Sequence, residues 1–271
     1  MAVSSSTAFA EVPSSQKCNG MSQLCEKRFD QVVYPTTHNS TSLGLIIPNQ
    51  ERNIEEQLND GVRGFMIDLW YWRGTVYTCH RFCELGGEPL LGVLQTFERF
   101  LKENPNEVVS IIFENYVSGV DLEQSFFESG LLGYVHTQTP GQVWPTLKEM
   151  INSKKQMVIF KENEDGGPSW DMLAWKFAVE TPYSYKSIEE FTCNFGRGLA
   201  ENSLYILNQF ITVAFFRRSA NILANQANTL MDRAHRCFEE KQKIPNFLTV
   251  DFYTTGDLIA SAKKLNEEFR K

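Results

Sequence analysis

Eight short runs rich in Val, Ile and Phe recur along the chain, at 29–37, 62–70, 75–79, 107–114, 156–161, 175–181, 203–210 and 246–252, bounded by Gly, Pro, Asn or Asp. Helical patterns separate most of them: Glu51 to Asn59, Leu90 to Glu103, Asp121 to Ser129, Pro145 to Ser153, Ser219 to Lys241 and Asp257 to Arg270, while Leu131 to Gly141 reads as loop. Runs that are almost continuously apolar fit parallel strands covered on both faces. Eight such strands in 271 residues match a barrel, which uses about 250 residues as one domain. The fold expected is therefore α/β, a distorted (β/α)8 TIM-type barrel, with a single domain over 18–271. The 75–79 run follows 62–70 too closely for a parallel crossover, so the barrel should be irregular and lack one helix.

The bulk chemistry narrows the function. Hydrophobic residues make up 42% of the chain and Phe alone contributes 20, enough for a large core without help from a metal. A net charge of −7, with no Lys or Arg run longer than two, excludes nucleic acid as the partner. No apolar stretch approaches the roughly 20 residues that span a bilayer. The six cysteines lack the two-residue gap of zinc and redox motifs and read as disulfides; chain order suggests Cys18 with Cys25, Cys79 with Cys83 and Cys193 with Cys237. Ala8-Phe9-Ala10 looks like the small-residue end of a secretory leader without its charged start or apolar middle. Residues 1–17 are expected to be a leader remnant or flexible N-terminus, and the protein to be secreted and monomeric.

Barrels place their chemistry at the C-terminal ends of the strands. The runs here finish in His38 and Asn39, Asp68, His80, Glu114, Lys161, Glu180, Asn208 and Asp251. Imidazole titrates near neutral pH, so His38 and His80 suit a base and an acid, and Asp251 can hold one imidazole nitrogen and leave the other free. Asn39, Asp68 and Glu114 offer hard oxygen atoms suited to Ca²⁺ or Mg²⁺; the plainer reading pairs Asp68 and Glu114 with Arg63 or Lys161. Lys161 suits a phosphate or ring hydroxyls, or else a solvated rim, and Tyr183 and Tyr185 either stack on a substrate ring or only pack. Leu43 to Pro48 is either a packed loop or a segment that dips into a membrane interface. Asn39 also opens the one glycosylation sequon, expected to stay unmodified at a catalytic mouth.

Thr37-His38-Asn39-Ser40, Gly61 through Trp70, Cys79-His80, Val108 through Glu114, Leu204 through Phe210 and Leu248 through Tyr253 resemble, in order and over nearly the whole chain, the X-box catalytic domain of phosphatidylinositol-specific phospholipases C. The resemblance is greatest to secreted, cysteine-containing single-domain members. It implies that His38, supported by Asp251, deprotonates the inositol 2-hydroxyl and that His80 protonates the departing diacylglycerol oxygen, giving a cyclic inositol phosphate. It further implies Ca²⁺ at Asn39, Asp68 and Glu114, because metal-independent bacterial enzymes carry an arginine at the position of Asp68. Met66 departs from the pattern, standing where calcium-dependent enzymes have a glutamate ligand. Lys161, Glu180, Tyr183 and Asn208 are assigned to an inositol phospholipid or GPI-type substrate at a membrane surface. The alternatives are a related barrel phosphodiesterase on sphingolipids, lysolipids or glycerophosphodiesters, and a catalytically quiet inositol- or lipid-binding protein.

Overall fold

In the computed structural model, residues 16–43, 48–80, 82–163, 166–213 and 217–269 are described. The expected leader falls almost wholly outside them, as does most of the Leu43 to Pro48 loop. The strands are β1 (Tyr34–Thr37), β2 (Gly64–Trp72), β3 (Thr75–Thr78), β4 (Glu88–Pro89), β5 (Val109–Asn115), β6 (Val135–His136), β7 (Met157–Lys161), β8 (Met172–Leu173), β9 (Ala178–Glu180), β10 (Leu204–Asn208) and β11 (Phe247–Val250). The helices are α1 (Ile54–Asp60), α2 (Leu90–Glu103), α3 (Gly119–Glu128), α4 (Leu147–Asn152), α5 (Arg217–Ala224), α6 (Ala227–Lys241) and α7 (Leu258–Glu268).

One curled parallel sheet runs β6-β7-β5-β2-β1-β11-β10-β9. Alternation sorts its side chains into two cores, since successive residues of a strand face opposite sides. Tyr34, Met66, Ile112, Phe160, Ala178, Ile206 and Phe247 point inward and fill the barrel. Phe65, Ile111, Ile159, Val179, Leu207 and Leu248 point outward under the helices, where they meet residues such as Leu94, Phe97 and Leu101 of α2. That helical spacing of apolar residues puts one face of α2 on the sheet. Each such side chain contributes about 1.5–3 kcal/mol when fully buried. Phe29, Tyr34, Trp144 and Phe247 stack across the N-terminal end of the barrel, with Phe29 centred 4.8 Å from both Tyr34 and Trp144. That floor is closed, which leaves chemistry to the opposite end.

Several elements differ from expectation. The 75–79 run is no stave of the barrel: β3 folds back antiparallel on β2, from Leu69 opposite Thr78 to Trp72 opposite Thr75. Its two-residue turn, Arg73-Gly74, has positive φ at both positions, the backbone of a tight hairpin connection. The missing stave is split in two along one edge of β7, with β6 on Met157 and Val158 and β8 on Phe160 and Lys161. Each piece is two residues long, too short to register as an apolar run. Among the described residues no ladder joins this edge to β9, so the barrel keeps a seam there.

The expected helix 219–241 is interrupted between α5 and α6, where Gln226 is extended. The buried Asn225 side chain leaves the helical pattern to donate to the carbonyls of Asp251 (2.7 Å) and Phe252 (3.0 Å), so the break braces the end of β11. The first run begins as a short turn at 29–31 and is strand only from Tyr34.

Candidate active site

The inward alternation continues past the strands and decides what reaches the mouth. Its last positions are His38, Asp68, Glu114, Glu162, Glu180, Asn208 and Asp251, and the strand registers place them on neighbouring staves, Asp68 directly beside Glu114. Lys161 falls on the outward alternation. Its ammonium is buried against Asp171 (3.2 Å) and the Gly166 carbonyl and does not line the mouth.

The His38 ring is held at one edge and on one face. Its Nδ1 lies 2.8 Å from Asp251 Oδ1, and Asn49 Nδ2 donates to the other oxygen of that carboxylate at 2.8 Å. An ionised carboxylate only accepts, so Nδ1 carries the hydrogen and Nε2 is left with a free lone pair. The ring lies flat on Phe210, with 4.0 Å between centroids and 5° between planes. Asn39 follows in the left-handed region (φ +45°), and this turn of the backbone lets consecutive residues face one mouth. Its buried amide donates to Asn49 Oδ1 at 3.3 Å, which leaves its own oxygen available and its sequon out of reach of modification in the folded chain.

His80 comes from the segment after β3. A disulfide from Cys79 to Cys83 encloses it, Phe82 N donates to its carbonyl (2.8 Å), and Cys79 N donates to Asp68 O (3.2 Å). Its Nε2 stands 4.0 Å from Asp68 Oδ2, too far for a hydrogen bond. Partial burial, with positive charge on His38 and Arg217, lowers its pKa from the ordinary histidine value. The other bridges join Cys18 to Cys25 and Cys193 to Cys237, the pairing that chain order suggests.

Asp68 is buried, and burial, then Glu114 and Glu162, push its carboxyl well above the usual range. A buried carboxyl in that state, with a second one beside it, attracts a proton or a cation. With the Asn39 oxygen they form a donor set that fits a hard divalent ion, which commonly uses one or two carboxylates and completes its shell with water and phosphate. Met66 adds only a thioether beside them, and among the described residues no three His, Cys, Asp or Glu side chains are arranged to hold a metal. Tyr116 donates to Glu114; that bond, then burial, raises the phenol to about 12.

The mouth divides into two lobes that share Glu114. The inner lobe, about 120 Å³, is lined by His38, Asn39, Glu162, Glu180, Arg197 and Asn208, with Tyr183 at its rim. The outer lobe, about 370 Å³, is lined by His80, Asp68, Trp70, Leu43, Phe82 and Leu85. Arg197 reaches across the seam, donating through Nη1 to Glu162 beyond β7 and through Nε to Glu180 of β9, both at 2.5 Å. Its guanidinium lies 4.2 Å from the Trp175 ring and 4.7 Å from that of Tyr183. Burial raises Glu162 to about 7 despite the opposing pull of Arg197. Tyr185 belongs elsewhere: it is buried, packs edge-on against Phe191 and accepts from Arg233.

Of the residues expected at the site, the structure brings His38, Asn39, Asp68, His80, Glu114, Glu180, Tyr183 and Asn208 to the lobes and sets Asp251 behind His38. Sequence reading missed Glu162, Asn49, Phe210 and Arg197. Strict alternation from Val158 and Phe160 selects Glu162 over Lys161. Arg197 sits in an irregular loop after β9, and no periodic signal points to it.

The family model described as PI-PLC X 1 matches residues 24–266. An uncharacterized secreted protein of Arthroderma benhamiae is 30% identical over 282 residues, 92% of this chain and 64% of that one. A PI-PLC X domain-containing protein of Arabidopsis thaliana is 27% identical, over 84% of this chain and 59% of its own length, so this chain spans about three fifths of these two relatives. PI-PLC X domain-containing protein 1 of Arthroderma benhamiae is 26% identical over 92% of this chain and 89% of that one. Among solved structures, the phosphatidylinositol-specific phospholipase C of Staphylococcus aureus superposes with a TM-score of 0.60 at 16% identity, over 88% of this chain and 94% of the other, a likeness of fold.

Proposed function

Because the chain belongs to the PI-PLC X domain family, we propose that it is a secreted phosphodiesterase that cleaves inositol phospholipids by transfer of the phosphoryl group to a hydroxyl of the same headgroup. The observation that carries this reading is the division of labour between the lobes: His38 faces the polar inner lobe and His80 the more apolar outer one.

A polyol in the inner lobe presents a hydroxyl to His38 Nε2. As that nitrogen takes the proton, the oxygen attacks phosphorus, and Asp251 stabilises the imidazolium that forms. The phosphorus–oxygen bond to the lipid alcohol breaks on the side of the outer lobe, where protonated His80 supplies a proton to the departing oxygen. The products are a cyclic phosphodiester and diacylglycerol. Asn39, Asp68 and Glu114 would hold a divalent cation, Ca²⁺ or Mg²⁺, which when bound neutralises phosphate charge. Glu180 and Asn208 orient the ring, and Tyr183 covers it. Three disulfides and a relative named as secreted support an extracellular setting. No helix among the described residues is long and apolar enough to cross a membrane.

The test is ³¹P NMR of a phosphatidylinositol suspension incubated with the protein, with Ca²⁺ and then with chelator. Appearance of a cyclic phosphodiester resonance supports the reading. An unchanged lipid spectrum in the presence of Ca²⁺ or Mg²⁺ overturns it.

A further inference from the structure

His38 and Asn39 are consecutive residues with different tasks, and both tasks meet again at one side chain further along. Asn49, between β1 and α1, is fully buried. Its backbone is tied down independently of its side chain. Its N–H and that of Gln50 donate to the Ser42 carbonyl (3.0 and 3.1 Å), and its own carbonyl accepts from Phe252 N (2.7 Å). Phe252 follows Asp251 directly and sits in the left-handed region at φ +50°, so this bond also braces the turn that ends β11.

The Asn49 side chain stands among three polar groups. Its Nδ2 lies 2.8 Å from Asp251 Oδ2, and its Oδ1 lies 3.3 Å from Asn39 Nδ2 and 3.4 Å from Arg217 Nη1. Chemistry fixes which way this amide points. An ionised carboxylate only accepts, so the NH2 group must face Asp251; a guanidinium only donates, so the oxygen must face Arg217. The two ends demand the same orientation. Asn39 meets that same oxygen and therefore approaches it with its own NH2, which leaves Asn39 Oδ1 for the lobe that it lines with Glu114. Among the described residues, the two oxygens of the buried Asp251 carboxylate have one partner each, His38 Nδ1 and Asn49 Nδ2. Loss of the Asn49 amide would strand one of them, and a buried acceptor without a donor is costly.

We infer that Asn49 is a positioning residue that makes the base and the cation site a single unit. One amide, oriented by Asp251 and Arg217, steadies the carboxylate that aims His38 and turns the Asn39 oxygen toward the ion. The inference rests on the roles given above to His38 and to a divalent cation, and assigns them a common support.

Asn49→Leu tests it, because leucine has a similar length and branching, carries no hydrogen-bonding group and keeps the backbone ties. Two readouts need no turnover. Calorimetry with Ca²⁺ alone should show affinity lower by about tenfold or more, the scale on which partners behind a metal ligand act. Proton NMR should show loss of the His38 Nδ1–H resonance, identified in the parent by its absence from His38→Ala. Asn39→Ala should lower affinity and keep the resonance. Asp251→Asn should lose the resonance and keep affinity, because Arg217 still holds the Asn49 oxygen. Only Asn49→Leu should do both, and Asn49→Ala makes the same comparison if the leucine variant does not fold. The double variant Asn39→Ala/Asn49→Leu should bind Ca²⁺ no more weakly than Asn39→Ala, whereas additive losses overturn the inference. Retention of either the affinity or the resonance in Asn49→Leu, or a parent that binds neither Ca²⁺ nor Mg²⁺, also overturns it and leaves the phosphodiesterase reading standing. Loss of both in the variant, with no cyclic phosphodiester formed by the parent, keeps the inference and sinks that reading.

Discussion

Asp251 holds His38 by a 2.8 Å contact to Nδ1 across 213 residues of chain. β1 and β11 are adjacent staves in register, so the first and last strands of the barrel each deliver one member of the pair. Asp251→Asn should keep the fold and offer an amide where a carboxylate oriented the ring, favouring the wrong tautomer. Turnover should fall at least about a hundredfold with an unchanged circular-dichroism spectrum. Activity within threefold of the parent would remove Asp251 from the mechanism.

The two histidines should separate when the leaving group no longer needs a proton. On an inositol phosphodiester with a nitrophenolate leaving group, His80→Ala should recover most of the roughly 10²–10⁴-fold loss it suffers on lipid, while His38→Ala should stay impaired on both substrates. Equal rescue of the two variants would show that the assignment of base and acid by lobe is mistaken.

Glu162 gives a stability signature with a defined sign. Its folded pKa is about 7 and its ordinary value 4.5, so the folded state holds this proton more tightly than the unfolded chain. The stabilisation that follows is complete below about pH 4.5 and is lost as pH rises through 7. Replacement by Gln removes the titration. The difference in Tm between Glu162→Gln and the parent should therefore shift in favour of the variant between pH 5 and pH 8. A difference that is flat with pH would mean that the carboxyl titrates normally.

Removal of the Cys193–Cys237 bridge opens a crosslink between residues 44 apart. Chain entropy alone puts the cost at about 4 kcal/mol, readable in the denaturant midpoint of a Cys193→Ala/Cys237→Ala variant. Complete reduction should add six hydrogens to the intact mass.

For the cation, chelation should lower turnover and added Ca²⁺ should restore it, whereas Asp68→Asn should be slow and indifferent to both. Parent activity that ignores the chelator would leave the raised Asp68 carboxyl as a proton site.

The barrel and most of its mouth were legible because both depend on short-range patterns. Apolar runs mark staves, and the polar residue that ends a stave lies at the mouth. Lys161 shows the limit of that rule: the end of a strand fixes height along the barrel, but only the alternation fixes side, and Glu162 one residue later is the inward one. β3 reads as a stave because a hairpin arm and a barrel strand share one composition; the Arg73-Gly74 turn is the local clue to the hairpin. β6 and β8 were invisible because two-residue strands exist only by virtue of the neighbour they pair with. Arg197 is fixed by contacts with β7 and β9 ends, and nothing local in the sequence encodes that meeting.

The seam beside β9 leaves the barrel a spiral that Arg197 helps to fasten at its lip. Arg197 bridges the seam there, since Glu162 follows β7, whose outer edge carries β6 and β8, and Glu180 ends β9. A ring bound between them would act as a second rivet, so a molecule engaged there also finishes the architecture. Recognition and closure then share a single set of atoms, and drift in either is felt at once by the other.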